Sequence, residues 1–540
     1  MAVNVPALLA VVVFYLAILA IGFWAFRKAK KVEKTIGGSK SEVTIVGGRN
    51  INVPVGVLTL TATWVGGSYI MGTAEVVYSP NGGLAWAIGP FAYTLCFICG
   101  GLFFAKPMRS GRYVTMMDPF QQRYGNFCTT LLLVPALIGD ILWVASTLAA
   151  LGGTMTLVLG LSSTISIIIS ASVCICYTLL GGLYAVTYTD VIQLVFNFVS
   201  LYICVPFVVL SPAVTGASQS GRSNQSSTWV GELKLEDSGK WIDEFLLLAL
   251  GGLAHQALYQ RILSSASTAQ AQATCYAAIL PLLIMGIPSV AIAATAASAD
   301  WNMTDYGLPP PFERGEAVNI LPLALQYLAP TWLSVLCIGA IAAAAMSSMD
   351  SALLSSASMF TQNMYKRTWR KQVCASDVAR RTGTACLFTP TFVVLQASER
   401  ELKWVVRGSL LAVGLAGMGV AFGDKSVFSL WILSGDLLYC VIFPQLLCVL
   451  HVSFTNGYGA IGGYAVALLL RLLSGESALG IPPLILYPWA REKDGVVTQY
   501  FPFRTFAMIC SLICIIGLSK LVEFLFRRRI IPKPWDVLQA

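Results

Sequence analysis

Roughly thirteen times along the chain, a run of about twenty residues passes with almost no charge, the length a helix needs to cross the hydrocarbon core of a bilayer. The runs lie near 5–26, 53–77, 83–105, 127–157, 165–184, 191–209, 241–262, 271–297, 331–360, 404–421, 427–452, 460–473 and 506–526. Backbone N–H and C=O groups in lipid must be satisfied within the segment, and continuous apolar runs of this length select helices over barrel strands. Composition agrees: only 11% of the 540 residues are charged, against about 25% in soluble domains. The class is an all-α polytopic membrane protein. With two histidines in the whole chain and no nucleophile, metal or nucleotide motif, it offers little for an enzyme.

Lys and Arg collect in the segments 27–34 (RKAKKVEK), 106–112 (KPMRSGR), 366–371 (KRTWRK) and 527–529 (RRR), which fall on one side if the spans alternate. Basic loops are retained in the cytoplasm, so the amino terminus is expected outside and the carboxyl end inside. The net charge of +9 is then a matter of topology and not of nucleic-acid binding. The first run has no basic residues before its apolar core and reads as a span rather than a cleaved signal. The sequons at Asn224 (NQS) and Asn302 (NMT) land in loops placed outside, where glycosylation occurs. The fourteen cysteines lie mostly inside spans, which favours core packing over a disulfide or metal framework.

Two runs carry a weakness. TATWVGGSYI holds Gly66-Gly67, and five runs later Gly251-Gly252 is followed by Ala254, His255 and Gln256. Gly-interrupted spans at matching positions of two halves point to an inverted-repeat transporter, whose broken helices expose carbonyls and helix ends at the midplane. The other reading of each glycine pair is close helix packing.

The strings TATWVGGSYIMGTAE, GGLYAVTYTDVIQ, Gln260-Arg261 and AAAAMSSMDSALLSSAS resemble the sodium:solute symporter family. FFAKPMRSGRYVTMMDPFQQRYG, ADWNMTDYGLP and VIFPQLLCVL are similar to its choline-transporting branch, and the resemblance runs from about residue 7 to 536. It implies a single transporter domain over 1–540 with 13 spans and a LeuT-like five-plus-five inverted repeat containing two broken helices. The repeats would cover about 50–213 and 240–453, with extra helices at 5–26, 460–473 and 506–526. It further implies sodium-driven, chloride-dependent uptake of choline across the plasma membrane, with presynaptic and vesicular pools; a homo-oligomer is compatible with it.

The resemblance places sodium on the carbonyls of Ala62, Val65 and Ala344 and the hydroxyls of Ser347 and Ser348. A hard monovalent cation wants such a cage of neutral oxygens, although adjacent serines in an apolar helix also bond back to the preceding turn. Asp190 and Asp350 are carboxylates near membrane depth, which are expensive and usually functional; both are candidate contributors, Asp350 equally as a structural partner of a neighbouring helix. For the solute, the resemblance implies an aromatic cage of Trp64, Tyr93, Trp143 and Trp431. A quaternary ammonium cannot be matched by a hydrogen bond, and each ring face contributes about 0.5–2 kcal/mol. Where the family has Pro-Trp-Gln, this chain has Ala254-His255-Gln256, so His255 stands for a cage indole. That change opens a second reading, a symporter for another organic cation or small amine; a third is a ligand-sensing or channel-like protein without turnover. The segment 373–396 has no counterpart in the family and reads as an insertion with the character of a retained intron.

Overall fold

The computed structural model describes residues 13, 16–28, 45–80, 82–160, 162–219, 228–370, 397–423, 426–476, 479–493, 496–532, 536 and 538. The insertion 373–396 and Asn224 lie outside them. Eight helices among the described residues are long and apolar enough to cross a membrane: 84–110, 125–157, 185–209, 268–297, 331–369, 399–421, 427–451 and 503–527. They coincide with eight of the expected runs. A ninth is Val53–Trp64 with Gly67–Tyr78, bent by 51° at the break between them. Ser163–Leu179, Ala317–Leu328 and Gly457–Leu473 are shorter apolar helices, and 16–28 is helical as well.

Burial separates centre from rim. The Thr331–Trp369 span has 83% of its apolar window buried within the protein, whereas Phe503–Arg527 has 17%. The central helix Thr331–Met359 packs against Gly125–Leu159, Ser163–Val209 and Glu399–Ala421. Sequence explains why it can: Ala342 to Ala345 are each at most 3% exposed, and small side chains let transmembrane backbones approach closely. The runs expected at 165–184 and 191–209 are two helices that meet at a kink at Gly182 (φ 67°, ψ 179°) within Ser163–Val209.

The first interruption falls where the glycines predict it. Val65 leaves the helix with ψ 64°, Gly66 is extended (φ −95°, ψ −174°), and a new helix starts at Gly67. A Cβ on Gly66 would lie 1.8 Å from Ser348 Oγ, so only glycine lets the serine helix come this close.

The second interruption corrects the expectation. Gly251 and Gly252 keep helical dihedrals, at the junction of a π turn (Leu247–Gly251) and a 3₁₀ turn (Gly252–Ala254), and the chain opens one step later, at His255 (φ −82°, ψ 128°). The helix resumes as Gln256–Ser264. The glycine pair is there for packing: a Cβ on Gly251 would come within 3.0 Å of Tyr439 Cβ, and one on Gly252 within 2.9 Å of Cys96 Sγ. At their far ends the two interrupted helices are tied together, since Ile51 bridges Ser265 in parallel and its N–H donates to Ser264 O at 3.1 Å. None of the twelve cysteines among the described residues is in a disulfide, the C-x-x-C pair Cys96 and Cys99 included.

Candidate functional site

Two clusters meet at the first interruption. On one side, Ser348 Oγ donates to the Thr63 carbonyl at 2.8 Å, and Ser347 Oγ lies 3.0 Å from both Ala62 O and Asp190 Oδ1. The Ala344 carbonyl lies 3.6 Å from the position a Gly66 Cβ would take. Ala62, Val65, Ala344, Ser347 and Ser348 are all buried, at 3% exposure or less. The arrangement is all oxygen: backbone carbonyls released by the break, two hydroxyls, and a carboxylate within reach of one of them. Such a set suits a hard cation, since unwound carbonyls and half-helix ends are what coordinate Na+ in broken-helix transporters.

Asp190 is more heavily committed than sequence indicated. Its Oδ2 accepts from Thr59 Oγ1 at 2.5 Å and pairs with Arg261 Nη2 at 3.2 Å. Arg261, 2% exposed, also donates to Ser351 Oγ at 2.6 Å, and Ser351 lies 3.2 Å from Thr63 Oγ1. One ion pair therefore joins the first interrupted helix, the Asp190 helix, the second interrupted helix and the serine helix. Breaking such a pair strands a charge in an apolar interior, at a cost of about 3–5 kcal/mol.

Asp350 points away from these oxygens. It accepts from Thr178 Oγ1 at 2.5 Å, from Cys174 Sγ at 3.2 Å and from the Tyr177 hydroxyl, all on the Ser163–Leu179 helix. This is the structural-partner alternative.

On the other side of Trp64 lie the five rings. Trp64 stands edge-to-face with Tyr93 (6.1 Å between centroids), Trp143 (5.9 Å) and His255 (6.3 Å). Trp143 and His255 are 4.9 Å apart. Trp431 closes the group against Tyr93 at 5.6 Å and donates its Nε1–H to the Tyr93 hydroxyl at 2.6 Å. None of the five is more than 8% exposed. Four come from separate helices and His255 from the opening in the second interrupted one, so only the folded bundle assembles them. Tyr69 and Phe97 extend the cluster, at 6.2 Å from Tyr93 and 5.7 Å from Trp64. Behind His255, its Nδ1 is 3.7 Å from Asp140 Oδ1.

Sequence reasoning used Arg261 only as part of a family string, without a role in the site, and passed over Thr59 and Asp140. The signal was present: a lone basic residue in the 241–262 run and a lone acid in the 127–157 run meet the same criterion that singled out Asp190. Asn302 is exposed in a short 3₁₀ turn, Trp301–Met303, an accessible position for its sequon.

A model of the sodium:solute symporter family matches residues 44–431. The human protein named High affinity choline transporter 1 is 45% identical over 542 residues, covering 100% of this chain and 89% of that protein. The Drosophila melanogaster protein of the same name is 40% identical over 539 residues, covering 100% and 82%. Among solved structures, a Na+-coupled sialic acid symporter in a substrate-bound outward-open state has a TM-score of 0.70 at 16% identity, covering 95% of this chain and 98% of that one. That last likeness is one of fold. The named relatives are transporters and not enzymes, and the chain belongs to the sodium:solute symporter family.

Proposed function

We propose that the protein is a sodium-driven, chloride-dependent symporter that takes up choline across the plasma membrane by alternating access. The observation that carries this reading is the five-ring cluster lying directly against the broken helix whose carbonyls meet Ser347 and Ser348. Trp64 belongs to the cluster and Ala62, two residues earlier, to the oxygen set, so one unwound segment serves both the solute and the ion. Relatives named as choline transporters, at 40–45% identity over essentially the whole chain, support the solute.

In this reading Trp64, Tyr93, Trp143, His255 and Trp431 enclose the ammonium head by cation–π attraction. Sodium is held by the oxygens of Ala62, Val65, Ala344, Ser347 and Ser348. To accept it, the two serine hydroxyls turn their protons away from the Ala62 and Thr63 carbonyls, so ion binding directly changes the contacts between the serine helix and the break. The Asp190–Arg261 pair holds the surrounding helices in register and supplies a carboxylate beside Ser347. The architecture is thirteen spans with a five-plus-five inverted repeat, amino terminus outside and carboxyl end in the cytoplasm, with Asn302 and Asn224 as glycan acceptors.

His255 favours a second reading, in which the solute is a different organic cation, because imidazole is a smaller π-face than indole. Radiolabelled choline uptake in transfected cells tests both, with sodium and chloride each replaced in turn. Saturable uptake that requires both ions is expected. Sodium-dependent uptake of another radiolabelled organic cation, with no saturable uptake of choline, would leave the transporter and change the solute.

A further inference from the structure

His255 is the one ring of the five whose own ring atoms include a hydrogen-bond acceptor, and a carboxylate lies behind it. Asp140 is on the Trp143 helix, one turn before Trp143, with its carboxylate inside the protein at 1% exposure. Its Oδ2 accepts from Ser356 Oγ at 2.8 Å, which anchors it to the serine helix two turns beyond Ser348. Its Oδ1 is left facing His255 Nδ1 at 3.7 Å. That nitrogen is itself enclosed and makes no hydrogen bond.

We propose that Asp140 is a positioning residue of the solute site: it keeps a proton on His255 Nδ1, so that Nε2 offers a lone pair to a solute cation bearing an O–H or N–H donor. The proposal rests on the cage reading above. A lone pair on Nδ1 would face a carboxylate in a low-dielectric interior and be repelled; a proton there is attracted. Which imidazole nitrogen carries the proton is set by what the other faces, and the two nitrogens sit at nearly opposite edges of the ring. Four aromatic faces attract any alkylammonium head alike. The fifth wall then distinguishes solutes by their tail, since a buried acceptor that finds no donor penalises the solute lacking one. The cage thus selects a hydroxylated or N–H-bearing organic cation over a purely alkylated one of the same size.

The test is competition against radiolabelled choline uptake by two probes: unlabelled choline, and propyltrimethylammonium, in which a methyl replaces the hydroxyl. The ratio of their half-inhibitory concentrations is independent of surface abundance. Wild type is expected to favour choline; Asp140→Asn should shrink that preference about fivefold, the worth of one hydrogen bond. Asp140→Glu should restore it, and in a His255→Phe background Asp140→Asn should leave the ratio where it is. An unchanged ratio in Asp140→Asn, with choline still transported, overturns the proposal while sparing the function. So does an equal weakening of both probes, which would make Asp140 a counter-charge only. If Asp140→Asn fails to reach the surface, Ser356→Ala decides, because it loosens the carboxylate but keeps the charge: a reduced preference supports the proposal and an unaltered one overturns it. Absence of saturable choline uptake in the wild type overturns both this inference and the function it rests on.

Discussion

The two interrupted helices break in different ways. At the first, the break is made by an absence: Gly66 has no side chain because Ser348 Oγ occupies the space, and what the break exposes is backbone carbonyl. At the second, the glycines stay helical and packed, and the opening falls on His255, so what the break exposes is a side chain. One interruption is suited to an ion that reads oxygens and the other to a solute that reads a ring. Glycine marks an unwinding point only where another element intrudes on its Cβ in the unwound form; otherwise it marks a contact.

The comparison breaks most visibly at Gly66. Gly66→Ala should abolish sodium-dependent uptake, since its Cβ would fall 1.8 Å from Ser348 Oγ and 2.5 Å from Ser348 Cβ; uptake at half the wild-type rate or better would mean the serine helix is not held against the break. Next in size is the ion pair that ties the second interrupted helix to Asp190, which in turn accepts from Thr59 on the first. Arg261→Ala should cost about 3–5 kcal/mol by stranding Asp190, seen as loss of surface protein by biotinylation, and Asp190→Asn added to it should recover part of that loss. Equal surface levels in the single and double variants would remove the pair from the framework. Ser348→Ala sharpens the ionic half. The sodium concentration for half-maximal uptake should rise about tenfold, the range of a hydrogen bond or ligand to a charged group, with surface protein retained; a shift in choline affinity alone would assign Ser348 to the wrong half. The smallest effect belongs to the second break. His255→Trp trades the Nε2 acceptor for a larger π-face, so the half-inhibitory concentration of propyltrimethylammonium should fall about fivefold and that of choline by less, while sodium dependence stays as it was; an equal fall for both would mean that His255 offers no acceptor. If the bulkier ring overpacks against Trp143, surface protein falls, and biotinylation separates that loss from a change in solute affinity.

Much of this was legible in sequence because lipid leaves few choices. Long uncharged runs located eight spanning helices, with ends that differ by up to nine residues (369 against 360), since each must satisfy its own backbone. The Trp64–Gly66 break was legible because glycine, hydroxyls and an indole coincide there. The second break was misplaced, because a glycine pair is the same letters whether it opens a helix or receives Tyr439 and Cys96. Partnerships were the least legible part. Asp190 and Asp350 look alike as carboxylates near membrane depth, yet one pairs with Arg261 and the other with Tyr177 and Thr178. Only packing, which brings residues 71 and 173 positions apart into contact, tells them apart.

Gly182 is the kink between the two helices that supply these partners: Cys174, Tyr177 and Thr178 hold Asp350 from one side of it, and Asp190 reaches Ser347 from the other. Its dihedrals of 67° and 179° belong to a region closed to L-residues and are the mirror image of an ordinary extended pair. The joint is therefore a requirement on handedness. A D-alanine placed at 182 by chemical synthesis would take up these dihedrals without backbone strain, whereas an L-alanine would strain the joint, and with it the alignment of the helices that hold Asp350 and Ser347.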